Sequence, residues 1–196
     1  MELSAIKFPY QTDVVSEKLY ENHIKLYQGY INKTNEIFLT HKKLSETDLS
    51  TANAIYSPYR GLKSSESFAV DGVVLHELFF QNLVKEDAQI GKNTKSLLES
   101  SWGSIENWKA SFVASAKCAR GWCVLAFEPR TGNCLNIIQD SHSDGVICGA
   151  IPLLVLDVYE HAFMLDFGGD KPGYINKFME NIPWGIVEKR AESVVR

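Results

Sequence analysis

The segment Leu153-Leu-Val-Leu-Asp157-Val-Tyr-Glu160-His161-Ala-Phe163 constrains the fold more than any other, because it ends a long apolar run on a carboxylate and places a histidine four residues later. An ionised Asp drawn into a core must find a partner, and a metal cation is one of the few that suffices. A blander reading is also open on these residues alone: a buried strand whose Asp caps the next turn through its side-chain oxygen. Ligand-type side chains on other buried faces would separate the two.

Hydrophobic periodicity supplies such faces. From about Val15 to Leu39, the residues Leu19, His23, Leu26, Tyr30 and Phe38 recur at helical spacing, with Tyr27, Ile31 and Thr34 widening the stripe and a start near Ser16. The polar stretch from Thr40 to Ser67 carries Ser-Pro and Arg-Gly breaks and reads as a surface connection with one short helix near Ser50 to Tyr56. A second amphipathic helix, from about Val70 to Leu83, sets Val73, His76, Phe80 and Leu83 on one face. After the polar segment Val84 to Thr94, helical patterns return around Lys95 to Ser100 and from Ser104, a candidate N-cap, to Cys118.

At Trp122 the period changes. Trp122 to Phe127, Leu135 to Gln139 and Ile151 to Asp157 are strand-like, with a hairpin turn at Pro129-Arg-Thr-Gly132. Lys171-Pro-Gly173 breaks the chain before a segment from Tyr174 to Asn181, and a last helix runs from Trp184 to Arg190. The expected architecture is α+β: a long antiparallel helical hairpin in residues 1–86, then an α/β layer with a three-stranded antiparallel sheet in residues 87–196, and a metal site between them.

A net charge of −4 argues against a general nucleic-acid binder, which would carry a concentrated basic patch. No run approaches the roughly 18 apolar residues of a membrane span, and the first residues lack the basic start and apolar core of a secretory signal, so the expectation is a cytoplasmic chain with no membrane or nucleic-acid partner. Cys118, Cys123, Cys134 and Cys148 form no C-x-x-C pair and read as reduced packing residues.

Of five histidines, His41 lies in Thr-His-Lys-Lys, a solvated setting. His23 and His76 sit on apolar stripes, where either alone reads as a hydrogen-bonded core residue. With Asp157 and His161 they make three imidazoles and one carboxylate, a set that suits iron, manganese or zinc and leaves a position open for water or substrate.

Over nearly its whole length the chain resembles the iron/manganese superoxide dismutase family. The resemblance rests on Phe8-Pro-Tyr10, His23 with Tyr30-Ile-Asn32, His76-Glu-Leu-Phe-Phe80, Gly121-Trp122, Ile151-Pro-Leu-Leu154, the element from Asp157 to Phe163, and Lys171-Pro-Gly-Tyr174. It implies conversion of superoxide to dioxygen and hydrogen peroxide at one iron or manganese ion per subunit, with His23, His76, Asp157 and His161 as ligands and a bound water or hydroxide as the fifth. It also implies a homodimer in which Glu160 and His161 take part, Tyr30 lining the substrate channel, and Lys171 as a cation near the funnel. The family sets a hydrogen-bonding side chain against the bound solvent from one of two places. Gly72 vacates the first, and His142, in the loop before the third strand, falls on the second.

Departures from the family pattern are specific. One residue is missing between His23 and Tyr30, so Leu26 or Tyr27 replaces the usual channel histidine. The deletion rotates the remainder of the helix by about 100° if the helix is regular, or removes a local bulge if it is not. Met164 stands for the tyrosine that would bond to that histidine across the dimer. Tyr159, Phe80 and Val124 each stand for a tryptophan, while Trp122 remains. These changes leave an alternative open: a metal-binding protein on the same fold with weak or no dismutase activity, favoured if Tyr30 points away from the metal.

Overall fold

The computed structural model describes residues 2–195. Helix α1 (Glu17–His41) starts at Ser16, whose Oγ accepts the Leu19 amide and satisfies one of the donors that a helix start leaves free. Its buried stripe is Leu19, Tyr20, His23, Tyr27, Ile31, Thr34 and Ile37. The residues expected only to widen the stripe therefore form its centre, and Leu26 turns to solvent.

The short helix α2 (Glu46–Ser50) begins in a reciprocal Ser45–Asp48 capping box. Helix α3 (Pro58–Gln81) begins well before the expected Val70. Ser57-Pro58 reads as a break yet acts as a start: Ser57 Oγ accepts the Arg60 amide, and proline at the first helical position gives up an N–H that the helix does not use. Contacts of Tyr27 with Glu77, Tyr30 with Gly72 and His41 with Glu66 run in opposite chain directions, so α1 and α3 form an antiparallel hairpin.

Helices α4 (Lys92–Trp102) and α5 (Ile105–Cys118) lead into strands β1 (Trp122–Glu128), β2 (Asn133–Gln139) and β3 (Ile151–Asp157), antiparallel in the order β2-β1-β3. The central strand is buried from Trp122 to Ala126. Its register sets Trp122 beside Gln139 on one side and Asp157 on the other. Alternation then puts Val124 and Ala126 on the same face as Trp122, towards α3. Pro152, which cannot donate to a ladder, lies on edge strand β3 where the register slips.

A single 3₁₀ turn (Glu160–Ala162) and α6 (Met164–Phe167) come next. Lys171-Pro-Gly173, expected to break the chain, is instead the first turn of α7 (Lys171–Glu180): Asp170 accepts the Gly173 amide and Pro172 sits where no N–H is needed. Helix α8 (Trp184–Val194) runs past the expected Arg190. Its Glu188 accepts the Asn93 and Thr94 amides and so caps α4, which has no cap of its own. Arg190 donates to Leu78 O, Gln81 Oε1, Asn82 Oδ1 and Leu153 O, while Asn82 Nδ2 donates to Val155 O. One buried guanidinium thus fastens the end of α3 to β3 without any carboxylate, and burial lowers its pKa to about 10.

All four cysteines are free; Cys123 and Cys134 are buried as expected, whereas Cys118 and Cys148 are exposed. Among the described residues no helix is long and apolar enough to cross a membrane.

Candidate metal centre

At the end of β3, Asp157 Oδ1 accepts the Tyr159 amide at 2.8 Å, and the Asp157 carbonyl accepts the Tyr174 hydroxyl at 2.9 Å. The capping role of the blander reading is therefore real, but it occupies only one carboxylate oxygen. The other, Oδ2, lies 3.1 Å from His23 Nε2, 3.2 Å from His161 Nε2 and 3.9 Å from His76 Nε2. One ligand atom from each of the four residues falls within 4.8 Å of all the others.

His76 Nδ1–H donates to the Gly72 carbonyl at 2.6 Å, which leaves the Nε2 lone pair facing the cluster. Burial keeps the imidazole neutral, lowering its pKa to about 3, and lowers that of His23 as well. Burial alone would raise the Asp157 pKa, but His161 and His23 outweigh it and the carboxyl lies below its ordinary value. The buried Nε2 atoms of His23 and His76 have no hydrogen-bond partner. Lone pairs and a carboxylate aimed at one dry point repel one another unless a cation sits among them. A cation with bonds of roughly 2.0–2.2 Å holds neighbouring donors roughly 3–4 Å apart, so the cluster fits a resident metal ion.

Beside it stands a second constellation. Trp122 Nε1–H donates to His142 Nδ1 at 2.9 Å, and His142 Nε2 lies 2.6 Å from Tyr30 Oη. An indole nitrogen can only donate, so Nδ1 is an acceptor. Burial lowers the His142 pKa to about 4, so the neutral ring carries its proton on Nε2 and donates it to Tyr30. The Tyr30 hydroxyl hydrogen is left free to point elsewhere. Helix α1 is uninterrupted, and seven residues at 100° each bring Tyr30 to within about 20° of His23. The missing residue has not turned Tyr30 away: its ring centroid lies 5.2 Å from that of His76.

The other expected residues divide between two surfaces. Tyr30 and Leu26 line an open hollow of about 730 Å3 whose rim carries Lys25 and Lys33. Tyr27 is instead fully buried, donating to Glu77 and accepting the Ile6 amide, so Leu26 is the residue at the channel mouth. Tyr159 stacks on His161 with ring centroids 5.2 Å apart and donates to the Asp140 carbonyl at 3.3 Å. His161, Glu160, Tyr159 and Lys171 line a separate opening, and Lys171 Nζ donates to the Ala119 carbonyl at 2.6 Å.

Three contributors carry little mark in the sequence. Lys25 and Lys33 look like solvated helix positions, and Phe68 lies beside the stretch that reads as a connection. Phe68 packs against His142 with ring centroids 4.5 Å apart, and the four-residue spacing Phe68, Gly72, His76 is the signal that could have found it.

An α+β chain that gathers three histidines and one aspartate at a buried point defines a metal-binding protein of the mononuclear type. Residues 90–190 match the family model for iron/manganese superoxide dismutases, C-terminal domain. Among curated relatives, the iron superoxide dismutase of Aquifex pyrophilus is 35% identical over 193 residues, covering 96% of this chain and 89% of that protein. That of Cupriavidus metallidurans is 34% identical over 189 residues, covering 93% and 91%. A manganese superoxide dismutase of Halobacterium salinarum is 29% identical over 192 residues, covering 94% and 92%. The chain belongs to the iron/manganese superoxide dismutase family.

Proposed function

We infer that the protein is a superoxide dismutase: two superoxide anions and two protons yield dioxygen and hydrogen peroxide at one iron or manganese ion per subunit. The ligands in this reading are Nε2 of His23, His76 and His161 and Oδ2 of Asp157. The observation that carries it is the convergence of these four atoms, two of them buried nitrogens without a hydrogen-bond partner. When bound, the ion supplies one-electron chemistry between its divalent and trivalent states, at a potential tuned by the surrounding groups.

The chain's own residues supply the rest. Neutral imidazoles add no charge and Asp157 adds one negative charge, so the ligand set is compatible with both states. Lys25 meets only Asn22 Oδ1, at 3.4 Å among the described residues, whereas Lys33 is paired with Glu36; Lys25 is thus the freer cation to draw an anion into the hollow. Tyr30, held by the Nε2 proton of His142, keeps its own hydroxyl proton available to the reduced product. Leu26 gives the hollow an apolar wall. Lys171 acts from the His161 side, where it is half-buried.

We further propose that two copies pair through Glu160 and His161. The His161 side chain is 32% exposed, against 0–1% for the other three ligands, and a pairing surface there would complete its burial. In this scheme residues 1–86 and 87–196 act as two halves, each giving two ligands. Four unpaired thiols suit a cytoplasmic location. The test is to purify the protein, measure bound iron and manganese, and assay superoxide removal beside Asp157→Ala. A metal-free wild type, or loaded protein no more active than the variant, refutes the reading.

A further inference from the structure

Between α3 and the sheet lies a second chamber, of about 100 Å3, that the dismutase reaction does not use. Leu75 and Leu78 of α3 close one side, and Val124, Ala126 and Ile137 of the sheet close the other. Its outer end is formed by Val74, Val146 and Ile147, all exposed. His142 is part of its wall, while the hydroxyl partner of His142, Tyr30, belongs to the cationic hollow. The Tyr30–His142 pair therefore stands between a polar compartment and an apolar one.

We propose that this chamber is a binding site for a small neutral apolar molecule. Its polar wall groups already have partners: both ring nitrogens of His142 are engaged, and Gln139 Nε2 donates to the His142 carbonyl at 3.5 Å. Asp71 is the exception, and it is half-buried on α3. Water gains little from a space that offers so few free hydrogen bonds. An apolar cavity on the order of 150 Å3 stays dry and takes up benzene or xenon, so one of this size suits a diatomic gas or a xenon atom better than a ring. Superoxide is an anion and is excluded by the same walls. Dioxygen, the apolar product, is the occupant that the chemistry supplies; that identification rests on the dismutase reading, whereas the affinity for apolar molecules does not.

Crystals of the purified, metal-loaded protein pressurised with xenon, and separately with dioxygen, test the site. The expected result is one xenon peak in contact with Val124 and Leu75, with dioxygen density at the same point. Both should vanish in Val124→Trp, which fills the chamber. Should that variant fail to fold, Ala126→Leu fills the space from a neighbouring position on the same strand. Ordered water in place of gas in the wild type, or a xenon peak that survives the filling, overturns the proposal. Xenon uptake by a protein without dismutase activity would refute the function and leave the chamber standing; active protein that takes up no xenon refutes the chamber.

Discussion

Replacing Gly72 by alanine tests the packing of the channel tyrosine with a single methyl group. A Cβ at this position would lie 2.8 Å from Tyr30 Cδ1 and 3.1 Å from Cε1 and Cγ. Gly61, on the same helix, would place its Cβ in open space. Alanine is favoured over glycine inside a helix by about 1 kcal/mol, so Gly61→Ala should stabilise the protein by about that amount. Gly72→Ala has the same gain but must push the Tyr30 ring aside, and overpacking costs about 1–3 kcal/mol. The net for Gly72→Ala is then between about zero and 2 kcal/mol of destabilisation, leaving it about 1–3 kcal/mol below Gly61→Ala. Tyr30 cannot shift without stretching its 2.6 Å bond to His142, so the proton it holds is no longer aimed. A positioned acid is worth roughly 10²–10⁴ in rate, and a partial loss of tenfold or more is expected. Urea unfolding of the three proteins gives the stabilities, and superoxide removal per bound metal gives the activities. Equal stability of Gly72→Ala and Gly61→Ala, with full activity in both, would show that Tyr30 does not pack on Gly72.

Other outcomes rest on individual contacts. Trp122→Phe leaves His142 Nδ1 buried without its donor, which should cost about 1–3 kcal/mol and free the ring to change tautomer; reversal of activity loss by Trp122→Tyr at unchanged metal content would count against a tautomer role. Arg190→Ala strips donors from the end of α3 and from Leu153 O. It should cost on the order of 3 kcal/mol, or a fall in Tm of roughly 6–12 °C, and calorimetry showing no shift would refute the fastening role. Glu188, held by the Thr94 and Asn93 donors, titrates below its ordinary value in the folded protein despite the opposing effect of burial. Its contribution to stability is therefore complete above the unfolded carboxylate value and disappears as pH falls through the lowered folded one. Glu188→Gln should flatten that part of the acid unfolding curve, and an unchanged slope would count against it.

The ligand set is legible in the sequence because each member carries a local mark: histidines on apolar helical stripes, and an acid ending an apolar run. The strands are legible for a similar reason, since each is a short apolar run bounded by turn residues. Helix starts at proline are not, because Ser57-Pro58 and Lys171-Pro172 look like interruptions until the preceding cap is seen to hold the next turn. The stripe of α1 reads a step to one side, where Leu26 and Tyr30 stand, because tyrosine and threonine at 27 and 34 are weak hydrophobic signals yet fill the core. The tautomer of His142 depends on Trp122, twenty residues away and on another element, and no sequence pattern encodes a donor across that distance.

The fastening by Arg190 bears on how the protein is made. All four metal-facing residues precede α8 along the chain, so a growing polypeptide holds every group that could grip an ion before it holds the residue that locks α3 to β3. Helix α3 brings His76 and β3 brings Asp157, and their relative placement is fixed only once the guanidinium has docked. Selection between two similar ions depends on that placement. The choice of metal is thus deferred to the last stage of biosynthesis, when the composition of the surrounding metal pool, rather than the order of synthesis, decides what is trapped.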